Sequence, residues 1–317
     1  MQIKRKPRVL FTGGGGAGSE ALNRFLSKNY EVYFADADPN SMDPTINPKK
    51  RHEIPMANDP SFVTSIVSLS KKLKLDLLVP TVDEELLPLR DVEDSMDCRI
   101  LLPPKNFISL HLDKFKSAQF LINAGLPAPR TSVVGDTQED FPFILKPRTG
   151  RGSRNVSIVS SEHELDARLL LSRMEASEFV VQELVHGQEY TVMMVANAEK
   201  KLRAIVPVLV VNKKGITIEA ETVSDKEIIC ACTKIHELNP VSGYYNIQLI
   251  KEVDGTVKPF EINPRVSTTA CLGLAAGVDF VAIALEEGDI SIVTENQLLP
   301  FKERLKLKRF WYNQIYV

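Results

Sequence analysis

The sequence predicts an α/β fold for its first third and an α+β fold thereafter, and three observations carry that expectation. Over residues 1–110 short apolar runs alternate with helical patterns, as in a parallel sheet with helices laid against it. Beyond residue 140 apolar strands follow one another across glycine-containing turns, as antiparallel hairpins do. Asp254-Gly255, flanked by two apolar runs, is the strongest of these hairpin signals.

The elements follow in order. RVLFT reads as a strand, GGGGAGSEALNRFLSK opens a helix, EVYFAD is a second strand, and DLLVP and RILLP supply later ones. Gly13, Gly15 and Gly18 satisfy G-x-G-x-x-G between strand and helix, and Asp36 or Asp38 ends the next strand. Two readings stay open here: a dinucleotide site, which would make the chain an NAD(P)-dependent oxidoreductase, or glycines that only let the strand turn tightly into a packed helix. In VPTVDEELLPL, Thr81, Asp83, Glu84 and Glu85 fall at a helix start at the carboxyl end of the sheet, where ligands often sit and where caps also belong.

In DKFKSAQFLINAGLPAP, Asp113 caps a helix that runs to Ala124 and closes on Gly125. Lys114 and Lys116 then occupy its first turn, against the helix dipole, as solvated lysines or as cations awaiting an anion. The strand of Phe143, Ile144 and Leu145 ends on Lys146, and a loop with Gly150, Arg151, Gly152 and Ser153 leads into a second strand, NVSIV. Glycines there let backbone N–H groups approach phosphate oxygens, and the arginines supply countercharge, although the spacing is not that of a P-loop. A helix, EHELDARLLLSRM, precedes the strand EFVVQ. That strand ends in Glu183, Leu184 and Val185, a backbone edge able to pair with an adenine, and Glu189 can accept from ribose hydroxyls. The strand KLRAIVPVLVV and the helix KEIICACTKIHEL follow.

A type I′ turn at Asp254-Gly255 sets Val253 opposite Thr256, Gln248 opposite Glu261 and Asn246 opposite Asn263. Opposed residues share a face, so one carboxylate and three amides point together, while Ile247, Leu249, Phe260 and Ile262 point into a core. Oxygen donors of this kind suit a hard cation held together with substrate phosphates. Pro259 marks the second strand as an edge.

Composition narrows the partners. Over 317 residues the net charge is −2, with acids and bases nearly balanced, so nothing global asks for nucleic acid or a membrane surface. No apolar run approaches a membrane span and MQIKRKPRVLF leads into a strand, so the cytoplasm is the expected compartment. Four cysteines without a CxxC pair make no disulfide framework; Cys230 and Cys232 read as core packing, and the five histidines as ordinary surface or core residues. The terminal KERLKLKRFWYNQIYV leaves a closing strand and a subunit contact, as in a homodimer, both open.

The ordered set DK, ILKP with its glycine-rich loop, VQELVHGQEYTV, NIQ and FEINPRVS resembles the ATP-grasp superfamily, most closely a single module of the carbamoyl phosphate synthetase large subunit. The resemblance implies an ATP-grasp fold with a Rossmann-like pre-ATP-grasp domain over residues 1–110, a lid subdomain over 111–182 and a C-terminal subdomain over 183–317. It implies ATP with Mg²⁺ or Mn²⁺ as cofactors, and a carboxylate-amine ligase acting on small molecules through an acyl phosphate. Lys114 and Lys146 match cations on the nucleotide, and Gly150, Arg151, Gly152 and Ser153 match the lid loop. Glu183, Leu184 and Val185 match the adenine hinge, and Glu189 the ribose acid. Gln248, Glu261 and Asn263 match the metal ligands. Where some members carry a further carboxylate this chain has Gln248, so its site is less negative. Arg265 matches the cation beside the acyl phosphate, which with Asn263 and Lys146 makes the implied catalytic set. The family's glycine-rich turn usually holds no dinucleotide. A non-catalytic ATP-binding module is the remaining alternative.

Overall fold

A computed structural model describes residues 5–136, 140–286 and 297–310. Three sheets organise it. The first is parallel, of strands β1 (Arg8–Phe11), β2 (Glu31–Asp36), β3 (Arg51–Glu53), β4 (Leu77–Val79) and β5 (Arg99–Ile100), in the order β3-β2-β1-β4-β5. Its helices are α1 (Ser19–Leu26), α2 (Phe62–Leu73), α3 (Asp83–Arg90) and α4 (Lys105–Leu112). The order reverses between β1 and β4, and this switch point opens a crevice at their carboxyl ends.

Next, α5 (Lys114–Asn123) is capped by the Asp113 carboxylate, which accepts from the Phe115 and Lys116 amides. Such a cap contributes about 1 kcal/mol. Strands β6 (Thr131–Val133), β7 (Phe143–Pro147), β8 (Ser157–Val159) and β9 (Phe179–Glu183) form a four-stranded antiparallel sheet, order β6-β9-β7-β8, backed by α6 (Glu162–Ser172).

The third sheet has six strands in the order β14-β13-β10-β11-β12-β15. They are β10 (Gln188–Ala196), β11 (Leu202–Lys214), β12 (Ile216–Thr222), β13 (Gly243–Lys251), β14 (Val257–Asn263) and β15 (Lys306–Lys308), accompanied by α7 (Lys226–Leu238), α8 (Ala270–Ala275) and α9 (Phe280–Leu285). Period-two alternation divides the strands between two cores. Val192, Met194, Ile247 and Ile262 pack towards α5 and α7. Met193, Val195 and Tyr244 share the other core with Phe11, Phe34, Leu22 and Phe280, which welds this sheet to the parallel one through α1, α8 and α9.

Several expectations need correction. The Asp254-Gly255 turn is not a two-residue loop: Glu252 pairs with Thr256 and its carbonyl accepts from the Gly255 amide, with Gly255 at φ +91°. This three-residue loop shifts the register by one, and a bulge at Phe260 shifts it back, so Gln248 still faces Glu261 and Asn246 faces Asn263. Phe260, the extra residue, is only half-buried and turns towards a cleft rather than into the core. Cys232 is buried but Cys230 is exposed, because residues two apart on a helix face different ways. Residues 306–308 pair with β12 and so close the sheet, while residues 311–317 of the same terminal stretch lie outside the described residues. Pro259 does lie on an edge strand.

Candidate functional site

Where the three sheets meet they enclose a cleft of about 900 Å³. The polar face of the β13–β14 hairpin forms one wall. Along this face Tyr244 is core, and two residues further the side chains reach the cleft, so Asn246, Gln248, Glu261 and Asn263 lie beside Glu189 and Thr191 of β10. Asn246 is buried and holds its neighbours: Oδ1 accepts from Asn263 Nδ2 at 3.3 Å, and Nδ2 donates to the Arg265 carbonyl at 3.0 Å. Glu261 faces the cleft with no hydrogen bond or ion pair among the described residues.

The opposite wall is cationic. Lys146, at the end of β7, is 3 % exposed and donates to Gln182 Oε1 at 2.9 Å and the Phe260 carbonyl at 3.4 Å. Burial, opposed by the Glu261 carboxylate and aided by Lys114 and Lys213, brings its pKa down to about 8. Lys114 reaches the Gly150 carbonyl at 2.7 Å and so ties the start of α5 to the glycine-rich loop. Across the cleft that loop touches α3, where Arg151 Nε meets Glu84 Oε2 at 2.9 Å.

The end of β9 and the loop after β14 complete the enclosure. Glu183 accepts from Lys258 Nζ at 2.9 Å and from the Arg130 amide at 3.2 Å. Burial works against its carboxylate, but these donors outweigh it and hold the pKa below the usual range. Leu184 and Val185 follow it along the cleft wall. Arg265 forms a short ion pair with Asp83, their side chains only 15 % and 11 % exposed, which joins the loop after β14 to the first turn of α3.

The residues that the resemblance assigns to nucleotide, metal or catalysis all line this one cleft: Lys114, Lys146, Gly150, Arg151, Gly152, Ser153, Glu183, Leu184, Val185, Glu189, Gln248, Glu261, Asn263 and Arg265; Lys116, Asp38 and Asp83, which the sequence also offered, are not among its lining residues. Sequence reasoning missed Lys213 and Gln182. Lys213 Nζ lies 2.6 Å from Glu189 Oε1 and 3.5 Å from Gln248 Oε1, and the alternation of β11, continued past its apolar run, is the signal that leads to it. Gln182 is buried and presents its amide to both Lys146 and Thr131; a glutamine inside the apolar run FVVQ was the clue.

The glycine-rich turn also lines the cleft, and packing accounts for two of its glycines. Gly13 has φ +61°, and a Cβ there would meet Thr81 Oγ1 at 2.6 Å; one on Gly15 would strike the Ser41 side chain. The Asp36 carboxylate accepts from the Gly15 amide at 2.9 Å and the Asp38 amide at 3.1 Å.

Comparison with known proteins agrees with this geometry. The ATP-grasp domain family matches residues 111–269. A D-alanine--D-alanine ligase of Pseudomonas entomophila (strain L48) is 21% identical over 207 residues, covering 56% of this chain and 63% of that protein, so the chain spans somewhat under two thirds of this curated relative's length. Among solved structures, the L-amino acid ligase from Bacillus licheniformis superposes with a TM-score of 0.70 at 16% identity, over 94% of this chain and 78% of that one. N5-carboxyaminoimidazole ribonucleotide synthetase, solved with ADP, gives a TM-score of 0.71 at 14% identity over 96% and 82%. At these identities the structural likeness concerns the fold. Together with the family match, which spans half of the sequence and most of the cleft's elements, it makes the chain a member of the ATP-grasp family.

Proposed function

We propose that the protein is an ATP-dependent ligase that activates a small carboxylate as an acyl phosphate and joins it to an amine. The observation that carries this reading is the sorting of charge within one cleft. Lys114, Lys146 and Arg151 line one side, an open carboxylate and amide oxygens the other with Lys213 among them, and Arg265 the far end. Moving a phosphoryl group between two anions needs countercharge and positioning more than covalent chemistry, and this set supplies both. The relatives bearing ligase names support the same class of reaction.

In this reading the backbone of Glu183, Leu184 and Val185 receives adenine, and Glu189 the ribose. The loop with Gly150, Arg151, Gly152 and Ser153 covers the phosphates, screened by Lys114 and Lys146. Glu261 and Asn263, with Gln248, would hold Mg²⁺ or Mn²⁺. The donor set fits a hard cation, since all the donors are oxygens and Glu261 has no partner of its own among the described residues. Gln248 is the weakest of the three, because its oxygen lies 3.5 Å from the Lys213 ammonium. Bound there, the cation would neutralise charge on the phosphate oxygens. A substrate carboxylate oxygen attacks the γ-phosphorus, the bond to the ADP oxygen breaks, and Arg265 stabilises the acyl phosphate. The amine nitrogen then attacks the acyl carbon, the bond from that carbon to the phosphate oxygen breaks, and the departing phosphate takes the amine proton.

In this reading the partners are a small carboxylate and a small amine, and the compartment is the cytoplasm. Among the described residues no helix is long and apolar enough to cross a membrane. Close approach accounts for Gly13 and Gly15 without a dinucleotide, so no observation favours the oxidoreductase alternative. Replacing Glu261 by Ala tests the reading: ADP release from Mg-ATP with the substrate pair is expected to fall at least about a hundredfold. Activity near wild type would remove Glu261 from the metal site.

A further inference from the structure

The proposed reaction leaves one buried ionisable side chain of the cleft unused. Glu85 of α3 is 4 % exposed yet lines the cleft, and its surroundings are specific. It sits at the switch point of the parallel sheet, between the carboxyl ends of β1 and β4, where open α/β sheets take their ligands. One carboxyl oxygen accepts from Thr12 Oγ1 in a short hydrogen bond. Thr12 is fixed in turn, its Oγ1 accepting from the Thr81 amide at 3.1 Å and its carbonyl from Thr81 Oγ1 at 2.7 Å. Against this floor Gly13 packs so closely that no side chain fits. The carboxyl is thus held in place at the switch-point end of the cleft.

Its electrostatics are unbalanced. Asp83 and Glu84, the preceding residues of the same helical turn, each pair with an arginine, Arg265 and Arg151. Glu85 has no ion pair among the described residues. Burial pushes its pKa up to about 8; the Thr12 hydroxyl and the Arg151 charge pull it down, and Asp36 and Glu84 push it up. A buried carboxyl without a cation costs stability, and an apolar residue would fill the same space more cheaply. A cation supplied from outside would satisfy it.

We propose that Glu85, on its floor of Thr12 and Thr81, is the recognition site for the ammonium group of a substrate, which places an amine at the switch-point end of the cleft. The inference rests on the ligase reading and specifies the chemistry of its second substrate site. The ammonium belongs either to the amine nucleophile or to an amino group carried by the carboxylate substrate. Both present the same N–H donors to the same carboxylate. On binding, Glu85 gives up its proton to solvent and pairs with the ammonium, and no bond to the substrate is made or broken.

Isothermal titration calorimetry of the whole protein with Mg-ATP present tests this. The probes are methylamine, ethanolamine, L-alanine and β-alanine, with tetramethylammonium and acetate as controls lacking N–H donors. At least one probe with an N–H ammonium is expected to bind saturably, with release of close to one proton at pH 7, read from two buffers of different ionisation enthalpy. Glu85→Gln is expected to weaken that binding at least about tenfold while Mg-ATP still binds. A response to methylamine or ethanolamine assigns the site to the nucleophile, and a response confined to the amino acids assigns it to the carboxylate substrate. If Mg-ATP binds and no ammonium probe does, or if binding releases no proton or survives Glu85→Gln unchanged, the proposal is overturned. Should Glu85→Gln fail to fold, proton release in the unmutated protein still decides. Failure to bind Mg-ATP would instead overturn the ligase reading.

Discussion

Lys146 shows how a residue can cost the fold something and still belong in it. Burial holds its pKa near 8, below the unfolded value of about 10.5, so the folded state binds fewer protons than the unfolded chain between those values. The burial cost is therefore present in full below pH 8 and is relieved as pH rises towards 10.5. Lys146→Met is accordingly expected to stabilise the protein at pH 7 by up to about 3 kcal/mol in urea denaturation, and to weaken Mg-ATP binding. Loss of stability on that substitution would mean that the Gln182 hydrogen bond outweighs the desolvation cost. Asp83 and Arg265 behave oppositely. Truncating Asp83 to Ala leaves a largely buried guanidinium without its partner and is expected to cost about 3 kcal/mol. Arg265→Ala is expected to leave Mg-ATP binding within about twofold and to lower kcat at least about a hundredfold. Retained turnover would make Arg265 peripheral. Residue types named in the sequence point to chemistry, but Glu85 could not be told from an ordinary first-turn acid there. Its hydrogen-bond partner, Thr12, is far away in the chain.

At the scale of elements, the strands and helices with strong periodicity were legible. EVYFAD, the capped helix at Asp113, KEIICACTKIHEL and the β13–β14 hairpin all occur where local pattern places them. Short elements such as β3 and β6 were not, because three residues carry too little periodicity and their pairing is decided by distant strands. The hairpin shows why a facing pair can be right when a turn is wrong: a longer loop and the Phe260 bulge shift the register in opposite directions. The glycine-rich loop after β7 makes few contacts of its own, the Lys114, Arg151 and Ser153 bonds being the ones that cross the cleft. In limited trypsinolysis, cleavage after Arg151 and Arg154 is therefore expected to slow at least about tenfold when Mg-ATP exceeds its Kd tenfold. Unchanged cleavage would mean that the loop does not close over the phosphates.

For the molecule as a whole, the cleft exists because the parallel and six-stranded sheets share a core, while the four-stranded sheet keeps its own and is tied to the other two by ion pairs. The parallel and six-stranded sheets are fused through Phe11, Tyr244 and Phe280, and Asp83 with Arg265 spans the same junction near the cleft. No local window of sequence contains that junction, which brings the switch point of one sheet against the polar face of another. The order of motifs along the chain was what made a common site legible before any contact was visible. In the proposed reading a nucleotide end, a metal face and an acidic crevice follow one another along the cleft, as a reaction in two steps requires. The most direct measurement supplies Mg-ATP, candidate amines and carboxylates labelled with ¹⁸O, and follows the products by mass spectrometry. An acyl phosphate route predicts ADP, the amide and inorganic phosphate carrying one ¹⁸O from the carboxylate. AMP with pyrophosphate, or amide formation with unlabelled phosphate, would contradict it.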